Sequence, residues 1–279
     1  MRWKRRNPGH EGGPGVTLLQ SIFLGILQGA TEFLPVSSSG HLFLAQRLLG
    51  LREPELAFDL LLHLGTLFAV LFFLRRELLE MASSLFRRER GLSEGWGRRE
   101  ILLVVLSTIP TGVIGLAFHH TVETGLTVWG IGVRYLLLTS FLLMSNLRFR
   151  HKWNPERIEM WEAIAIGMMQ GAAVFPGLSR SGSTITLALL LGISPSRSAK
   201  YSFLISLPAI LGAAVVEARQ GISVLPAIGP CIAGFLCAVL VGYLSLFLVE
   251  RLVTHGKFNR FAPYTLLVAG LCFYLHFRG

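Results

Sequence analysis

Six long apolar runs indicate that this chain folds in a lipid bilayer. They cover residues 57–74, 101–118, 126–145, 200–216, 226–249 and 263–277. Each run is long enough, or nearly so, to cross about 30 Å of hydrocarbon as a helix. Hydrophobic residues make up 52% of the 279 residues and charged residues only 15%, a composition too apolar for a protein surrounded by water. We therefore predict an all-α, polytopic membrane protein.

The positive charges are distributed by loop. The net charge is +10, but the lysines and arginines cluster in the loops 75–100, 146–160 and 250–262, whereas the loops 119–125 and 217–225 carry at most one. This alternation is typical of cytoplasmic and outer loops, so the basic loops are predicted to lie in the cytoplasm. It also argues against nucleic acid as a partner. The basic N-terminal segment MRWKRR is an exception, because the same count places it outside.

A thirteen-residue segment occurs twice and indicates a duplicated chain. Residues 28–40 read QGATEFLPVSSSG and residues 170–182 read QGAAVFPGLSRSG, and the two copies align without a gap. A GxxxG pair precedes each copy, Gly25/Gly29 in the first and Gly167/Gly171 in the second. We assign repeat one to residues 17–145 and repeat two to residues 159–279, within a single membrane domain that covers residues 1–279.

Each copy also interrupts an apolar stretch. Pro35 ends the first stretch, after which only residues 41–50 stay apolar; Pro176 ends the second, and residues 183–193 follow. A helix of ten residues rises only about 15 Å, which is half of the hydrocarbon thickness. We therefore predict two re-entrant hairpins whose loops line an internal cavity. Three crossings separate the hairpins, so each half has three spanning helices and one hairpin, in inverted orientation, with about six spans in all.

The first hairpin carries an acid, hydroxyls and an imidazole. Gln28 and Glu32 are four positions apart and share a helix face. An ionised Glu32 in an apolar stretch costs on the order of 2.5–3.5 kcal/mol, so we expect it to face a cavity and to have a partner. The run from Ser37 to His41, which includes Ser38, Ser39 and Gly40, opens the half-helix. Its amide N–H groups and positive dipole end favour an anion.

The second hairpin contributes a cation. Arg180 stands where the first copy has Ser38, and its planar guanidinium suits a phosphate. Its neighbours Ser179, Ser181 and Gly182 are predicted to complete a phosphate cradle. Two further mismatches between the copies are Glu32 against Val174 and His41 against Ser183. We predict that the two hairpins converge on one site for a membrane-soluble, phosphate-bearing substrate.

Weaker candidates lie elsewhere in the chain. Asp59 and His63 are four positions apart, and the spacing fits either a supporting layer around the site or a simple pair within one helix. His119 and His120 are predicted to lie in a solvated turn of an outer loop.

The motifs QGATEFLPVSSSGH and PGLSRSG resemble the two signature motifs of the undecaprenyl-diphosphate phosphatase family, the bacitracin-resistance proteins of bacterial membranes. The hydrophobic pattern and the length are similar over nearly the whole chain. The resemblance implies hydrolysis of undecaprenyl diphosphate to undecaprenyl phosphate and inorganic phosphate, which recycles the lipid carrier of cell-wall synthesis. It also implies a divalent cation, Mg²⁺ or Ca²⁺, and a multi-pass protein of the inner membrane whose site opens to the outer, periplasmic face.

The family's functional residues can be placed by position. The resemblance implies four catalytic residues: Glu32, Ser38, His41 and Arg180. It implies a second group that binds phosphate: Gln28, Ser37, Ser39, Ser179, Ser181 and Gly182. Many relatives carry Glu where this chain has Gln28, and an amide is a poorer metal ligand, so Glu32 is left as the one acid of its motif. Glu32 either holds the divalent ion or acts as a base. Ser38, His41 and an activated water all remain candidates for the nucleophile.

A transporter is the alternative function. Inverted repeats with half-helices at the midplane are also the architecture of secondary carriers, so the same site could move a polyprenyl phosphate across the bilayer. Release of phosphate by the purified protein would separate the two, since a carrier releases none. A homodimer is compatible with the sequence but not indicated by it.

Overall fold

The computed structural model describes residues 16–51, 56–86, 96–124, 127–146, 157–219 and 227–278. The predicted all-α fold is confirmed, because these residues form eleven α-helices and one short 3₁₀ helix, Phe258–Phe261. The α-helices are α1 (Leu18–Phe33), α2 (Ser38–Leu48), α3 (Leu56–Phe73), α4 (Arg75–Ser84), α5 (Arg98–Thr124), α6 (Val128–Met144), α7 (Met160–Ala172), α8 (Arg180–Leu191), α9 (Pro195–Arg219), α10 (Ile228–Thr254) and α11 (Ala262–Arg278). The segment MRWKRR and several loop cations lie outside the described residues: Arg87, Arg88, Arg90, Arg148, Arg150 and Lys152.

Three helices of the described part are long and apolar enough to cross a membrane: Arg98–Phe118, Pro195–Val216 and Ile228–Thr254. A fourth crossing is added if α3 and α4, which meet at an angle of 70°, count as one broken span. The helices α6 and α11 have 17 residues each, which corresponds to about 26 Å of rise. The protein is thus a multi-pass membrane protein, while the six crossings and their inverted orientation stay predictions.

Two predicted loops are partly helical, and those predictions were wrong. Residues Arg75–Ser84 of the loop 75–100 form α4, whose Met81 is buried in the main hydrophobic cluster. The outer loop 119–125 is helical up to Thr124, so the turn expected at His119 and His120 does not form. No glycine or proline occurs between Gly115 and Gly125, so the sequence has no signal that would end the helix earlier.

Both motif regions form a helix, a break and a short helix. In the first, α1 ends at Phe33 and α2 begins at Ser38; in the second, α7 ends at Ala172 and α8 begins at Arg180. The short helices begin three residues before the predicted stretches 41–50 and 183–193. As a result, Ser38 and Arg180 are the first residues of their helices, where side chains and amide N–H groups of both loops can meet.

Each motif helix packs against a long helix from the other predicted repeat. The helix α1 lies along α10, and α7 lies along α5. A Cβ atom added to Gly25 would lie 2.3 Å from the carbonyl oxygen of Gly234, and one added to Gly167 would lie 2.3 Å from that of Ser107. The two GxxxG pairs therefore permit backbone contact that a side chain would block. The repeat boundaries at 17–145 and 159–279, and the single domain over 1–279, stay predictions.

Candidate active site

Glu32 is the centre of a buried polar cluster formed by both motif regions. It lies at the end of α1 and is 9% exposed. Its Oε1 atom accepts a hydrogen bond of 2.7 Å from Nη2 of Arg180. Its Oε2 atom accepts bonds from Oγ of Ser38 at 2.6 Å and from Nε2 of Gln28 at 3.0 Å. The partner expected for an intramembrane carboxylate is thus the arginine of the second copy.

The local sequence explains how these groups meet. Gln28 lies one turn before Glu32 on α1, so both side chains leave the same helix face. Pro35 follows Glu32 and ends α1, and the chain turns back into α2 at Ser38. Ser38 can therefore reach the carboxylate of the preceding helix. Arg180 arrives from the equivalent position in the second motif.

Serines of the two motifs join the loops to each other. The Oγ atom of Ser37 accepts a 3.0 Å bond from the amide N–H of Gly177. Ser179 and Ser181 donate to the carbonyl oxygen of Leu34 at 3.4 and 3.2 Å. In all three bonds the donor lies in the second loop and the acceptor in the first, and together they hold both breaks in place. These serines support the site frame in this structure, and their predicted role in binding phosphate stays a prediction.

Ser179 has a second task, and Ser37 has an unusual backbone. The hydroxyl of Ser179 caps α8 by accepting a 3.0 Å bond from the amide N–H of Gly182. Ser37 precedes α2 with φ of 63°, which side chains other than glycine rarely adopt. Its hydroxyl does not cap α2; it accepts the bond from the second loop and lies 3.5 Å from the hydroxyl of Ser39. Strain of this kind occurs at sites where the surrounding contacts define the geometry.

His41 lies in a separate set of hydrogen bonds. Its Nδ1 atom lies 2.8 Å from the carbonyl oxygen of Ser37 and 2.9 Å from the hydroxyl of Tyr135. Its Nε2 atom lies 2.6 Å from the hydroxyl of Tyr264, whose ring stacks on the imidazole at 5.7 Å. Because a carbonyl only accepts, Nδ1 carries a proton and Nε2 accepts from Tyr264. The structure thus places His41 beside the loop, with both ring nitrogens bonded to groups other than Glu32.

Two tyrosines of the site were not identified from the sequence. Tyr135 lies on α6 and is fully buried, and Tyr264 lies at the start of α11. The only available signal was a phenol hydroxyl within an apolar run, since such a hydroxyl usually needs a partner. Which polar group would provide that partner depends on how α6 and α11 pack beside the first hairpin.

His63 joins the cluster from α3. Its Nε2 atom lies 3.8 Å from Oε2 of Glu32, and its Nδ1 atom donates a 2.7 Å bond to the carbonyl oxygen of Asp59. The carboxylate of Asp59 accepts a 2.6 Å bond from Nε2 of Gln46 on α2. Of the two interpretations left open by the spacing, the supporting layer around the site is the one that matches these contacts.

Arg180 keeps part of its guanidinium available. Its side chain is 15% exposed, and Nη1 makes only a long bond of 3.5 Å to the carbonyl oxygen of Ser202. The hydroxyl of Ser202 is in turn bonded to Thr184 at 2.6 Å, which ties α9 to α8 behind the arginine. The cluster therefore combines a held carboxylate, a hydroxyl in contact with it and a cation that can add a bond to an anion.

Some side chains of the cluster could bind a divalent cation. In the part of the chain that the structure describes, no group of three or more His, Cys, Asp or Glu residues could hold a metal ion. However, Oε1 of Gln28 is buried and has no hydrogen-bond partner. Mg²⁺ is commonly held by one or two carboxylates together with substrate phosphates. One carboxylate, Glu32, beside an unpaired amide oxygen fits that kind of site.

Comparisons with known proteins agree with the motifs. The family model of bacitracin resistance protein BacA matches residues 21–271. An undecaprenyl-diphosphatase of Desulfosudis oleivorans is 37% identical over 270 residues, which is 93% of this chain and 99% of that protein. One of Rubrobacter xylanophilus is 40% identical over 264 residues, covering 91% and 96%. One of Methanosphaera stadtmanae is 35% identical, covering 90% and 95%. The chain therefore belongs to the bacitracin resistance protein BacA family.

Proposed function

We propose that this protein is a membrane phosphatase that hydrolyses undecaprenyl diphosphate to undecaprenyl phosphate and inorganic phosphate. The similar proteins described above are named undecaprenyl-diphosphatase, and this chain aligns with almost the whole length of each. The observation that carries the proposal within the chain is the double contact of Glu32, which holds Ser38 on one oxygen and Arg180 on the other.

The Glu32–Ser38 contact supports Ser38 as the nucleophile. A hydroxyl is weak until an adjacent base accepts its proton, and the 2.6 Å bond places a carboxylate oxygen where that proton would go. His41 is the weaker candidate because both of its ring nitrogens are bonded to Ser37, Tyr135 and Tyr264.

The reaction then has two steps. Ser38 Oγ attacks the terminal phosphorus, its proton passes to Glu32, and the bond between that phosphorus and the bridging oxygen breaks to release the lipid monophosphate. Glu32 gives that proton to the departing lipid phosphate and is a carboxylate again. Water then attacks the phosphoserine and passes a proton to Glu32, which returns it to Oγ of Ser38 as the bond between phosphorus and that oxygen breaks and inorganic phosphate leaves. Arg180 is bonded to the other oxygen of the Glu32 carboxylate and would stabilise negative charge on the transferred phosphoryl group.

A divalent cation, Mg²⁺ or Ca²⁺, would be held by Glu32. The unpaired Oε1 atom of Gln28 is a neutral oxygen donor in the same cluster. When bound, such an ion would reduce the negative charge of the diphosphate before attack.

The proposal also covers the orientation of the protein in the membrane and the face on which its site opens. The basic loops 75–100, 146–160 and 250–262 favour a cytoplasmic position, and on that count the first hairpin enters from the outer face. We place the protein in the bacterial inner membrane with its site open to the periplasmic face, where the diphosphate of cell-wall synthesis is released.

The test is phosphate release from a polyprenyl diphosphate by the purified protein in detergent, with and without a chelator. We expect release that stops with chelator and returns on addition of Mg²⁺. A carrier of polyprenyl phosphate would release none. Rapid quenching and mass analysis would identify the nucleophile: phosphate on Ser38 supports the serine route, phosphate on His41 contradicts it, and an unmodified protein indicates direct attack by water.

A further inference from the structure

His63 presents a ring nitrogen to the carboxylate of Glu32, and the geometry of this approach is unusual. The carbonyl oxygen of Asp59 takes the bond from Nδ1, so Nε2 is the ring nitrogen that faces the carboxylate. The Nε2 atom lies 3.8 Å from Oε2 of Glu32, too far for a direct hydrogen bond.

The spacing of these two atoms suits a shared metal ion. Two ligand atoms that each lie about 2.1 Å from one ion are about 3 Å apart at a right angle and about 4 Å apart when opposite. The separation of 3.8 Å between Nε2 of His63 and Oε2 of Glu32 falls within that range.

A third oxygen donor belongs to the same cluster. Gln28 is fully buried, its Nε2 atom lies 3.0 Å from Oε2 of Glu32, and its Oε1 atom has no hydrogen-bond partner. A buried amide oxygen without a donor costs about 1–3 kcal/mol, which a bound cation would remove. Arg180 is bonded to the other oxygen, Oε1, of Glu32, while Oε2 accepts the bonds from Ser38 and Gln28 and would share its electron pairs with the ion.

The surroundings of His63 are those of a metal ligand. Ligand histidines usually donate their second ring N–H to a carbonyl or carboxylate, which sets the ring orientation. Here the carbonyl oxygen of Asp59 has that role, and the bond from Gln46 to the carboxylate of Asp59 links the same residue to α2. The side chain of His63 is 29% exposed, so an ion can reach it, whereas that of Glu32 is only 7% exposed.

We propose that His63 is a ligand of the divalent cation, and that it forms with Glu32 and Gln28 a site of one nitrogen and two oxygens. The inference rests on the proposed function for its biological meaning. In this chain, an imidazole from α3 would supply the third donor where Gln28 offers only a neutral amide. Because imidazole favours transition metals over Mg²⁺ and Ca²⁺, the site should bind Mn²⁺ more tightly than either.

The experiment uses Mn²⁺ alone, without lipid, on the full chain in detergent. Electron paramagnetic resonance gives bound and free Mn²⁺, and its pulsed form detects a nitrogen nucleus bonded to the ion. We expect one bound Mn²⁺ with a nitrogen coupling, and Ca²⁺ should displace it only in about tenfold excess or more. In His63→Gln the coupling should vanish and the Mn²⁺ dissociation constant should rise about tenfold or more. The matched control is His255→Gln, an exposed histidine after α10, which should change neither.

A second measurement does not depend on a variant that folds. In the parent grown with ¹⁵N-labelled histidine, the coupling should change from the ¹⁴N to the ¹⁵N pattern. The inference is overturned if the parent shows no nitrogen coupling, as for a simple imidazolium–carboxylate pair, or if His63→Gln keeps it. If the parent releases phosphate but shows no nitrogen coupling, the metal-ligand role of His63 is refuted and the phosphatase activity is supported. If the parent shows the coupling but releases no phosphate, the metal-ligand role is supported and the phosphatase activity is refuted.

Discussion

The ion pair between Arg180 and Glu32 contributes to stability and to catalysis, and the two contributions can be measured separately. In Arg180→Ala, the carboxylate of Glu32 stays buried, with 7% of its side chain exposed and its 2.7 Å cation removed. Breaking one partner of a buried pair costs about 3–5 kcal/mol, because the remaining charge is uncompensated. We expect the free energy of unfolding to fall by that amount.

The double variant Glu32→Gln/Arg180→Ala removes the uncompensated charge as well. Its free energy of unfolding should lie closer to the parent than the sum of the two single changes, with a coupling of at least about 1 kcal/mol. Activity should not recover, because phosphoryl transfer then lacks both the base and the cation. From the usual contribution of a charge-stabilising arginine, we expect each variant to lose about 10³-fold or more of phosphate release.

The assays are reversible unfolding in mixed micelles, followed by tryptophan fluorescence, and phosphate release from the polyprenyl diphosphate. Arg76→Ala, at an exposed arginine of α4, is the matched control and should keep both stability and activity. The reasoning is refuted if Arg180→Ala is as stable as the parent, or if the two single changes add without coupling. Activity of Arg180→Ala within a few-fold of the parent would refute the catalytic role.

Three further predictions follow from the same contacts. Ser38→Ala should fold normally and lose about 10³-fold or more of phosphate release, and an activity near that of the parent would exclude a serine nucleophile. Gly167→Ala should lower the free energy of unfolding by about 1–3 kcal/mol, because its new Cβ would lie 2.3 Å from a carbonyl oxygen of α5, whereas Gly112→Ala, with open space around it, should not. Tyr264→Phe keeps the ring stacked on His41 but removes the 2.6 Å bond, so turnover should fall by up to about tenfold; unchanged turnover would mean that this bond does not contribute.

The helices of the motif regions could be predicted because their signals are local. Pro35 ends α1, and the serine-rich segment after it begins α2, as its composition indicates. The helix α4 was missed because an arginine-rich segment between two apolar runs also fits a basic loop. Its helical state is supported by the burial of Met81 and by the 2.7 Å bond from Lys200 to Glu77, and Lys200 lies on the distant helix α9.

The candidate site could likewise be predicted only in part. Glu32, Ser38 and Arg180 stand out as polar residues at positions where the two copies of one motif differ, and the structure brings them into contact. His63 could be noted only as half of a pair with Asp59. Tyr264 could be noted only as a hydroxyl within an apolar run, because its partner, His41, is far away in the chain.

Sequence alone determined the solvent of this protein, its helical class and the two breaks where polar residues enter the membrane, since hydropathy, proline and helix caps act over a few neighbouring residues. Only the tertiary structure decided which atoms share the carboxylate of Glu32, with Arg180 on one oxygen and Ser38 and Gln28 on the other. It also decided that His41 turns to two tyrosines and His63 to the acid. The reason is physical: a buried polar group takes the partner that packing brings within about 3 Å, and packing depends on helices distant in the chain.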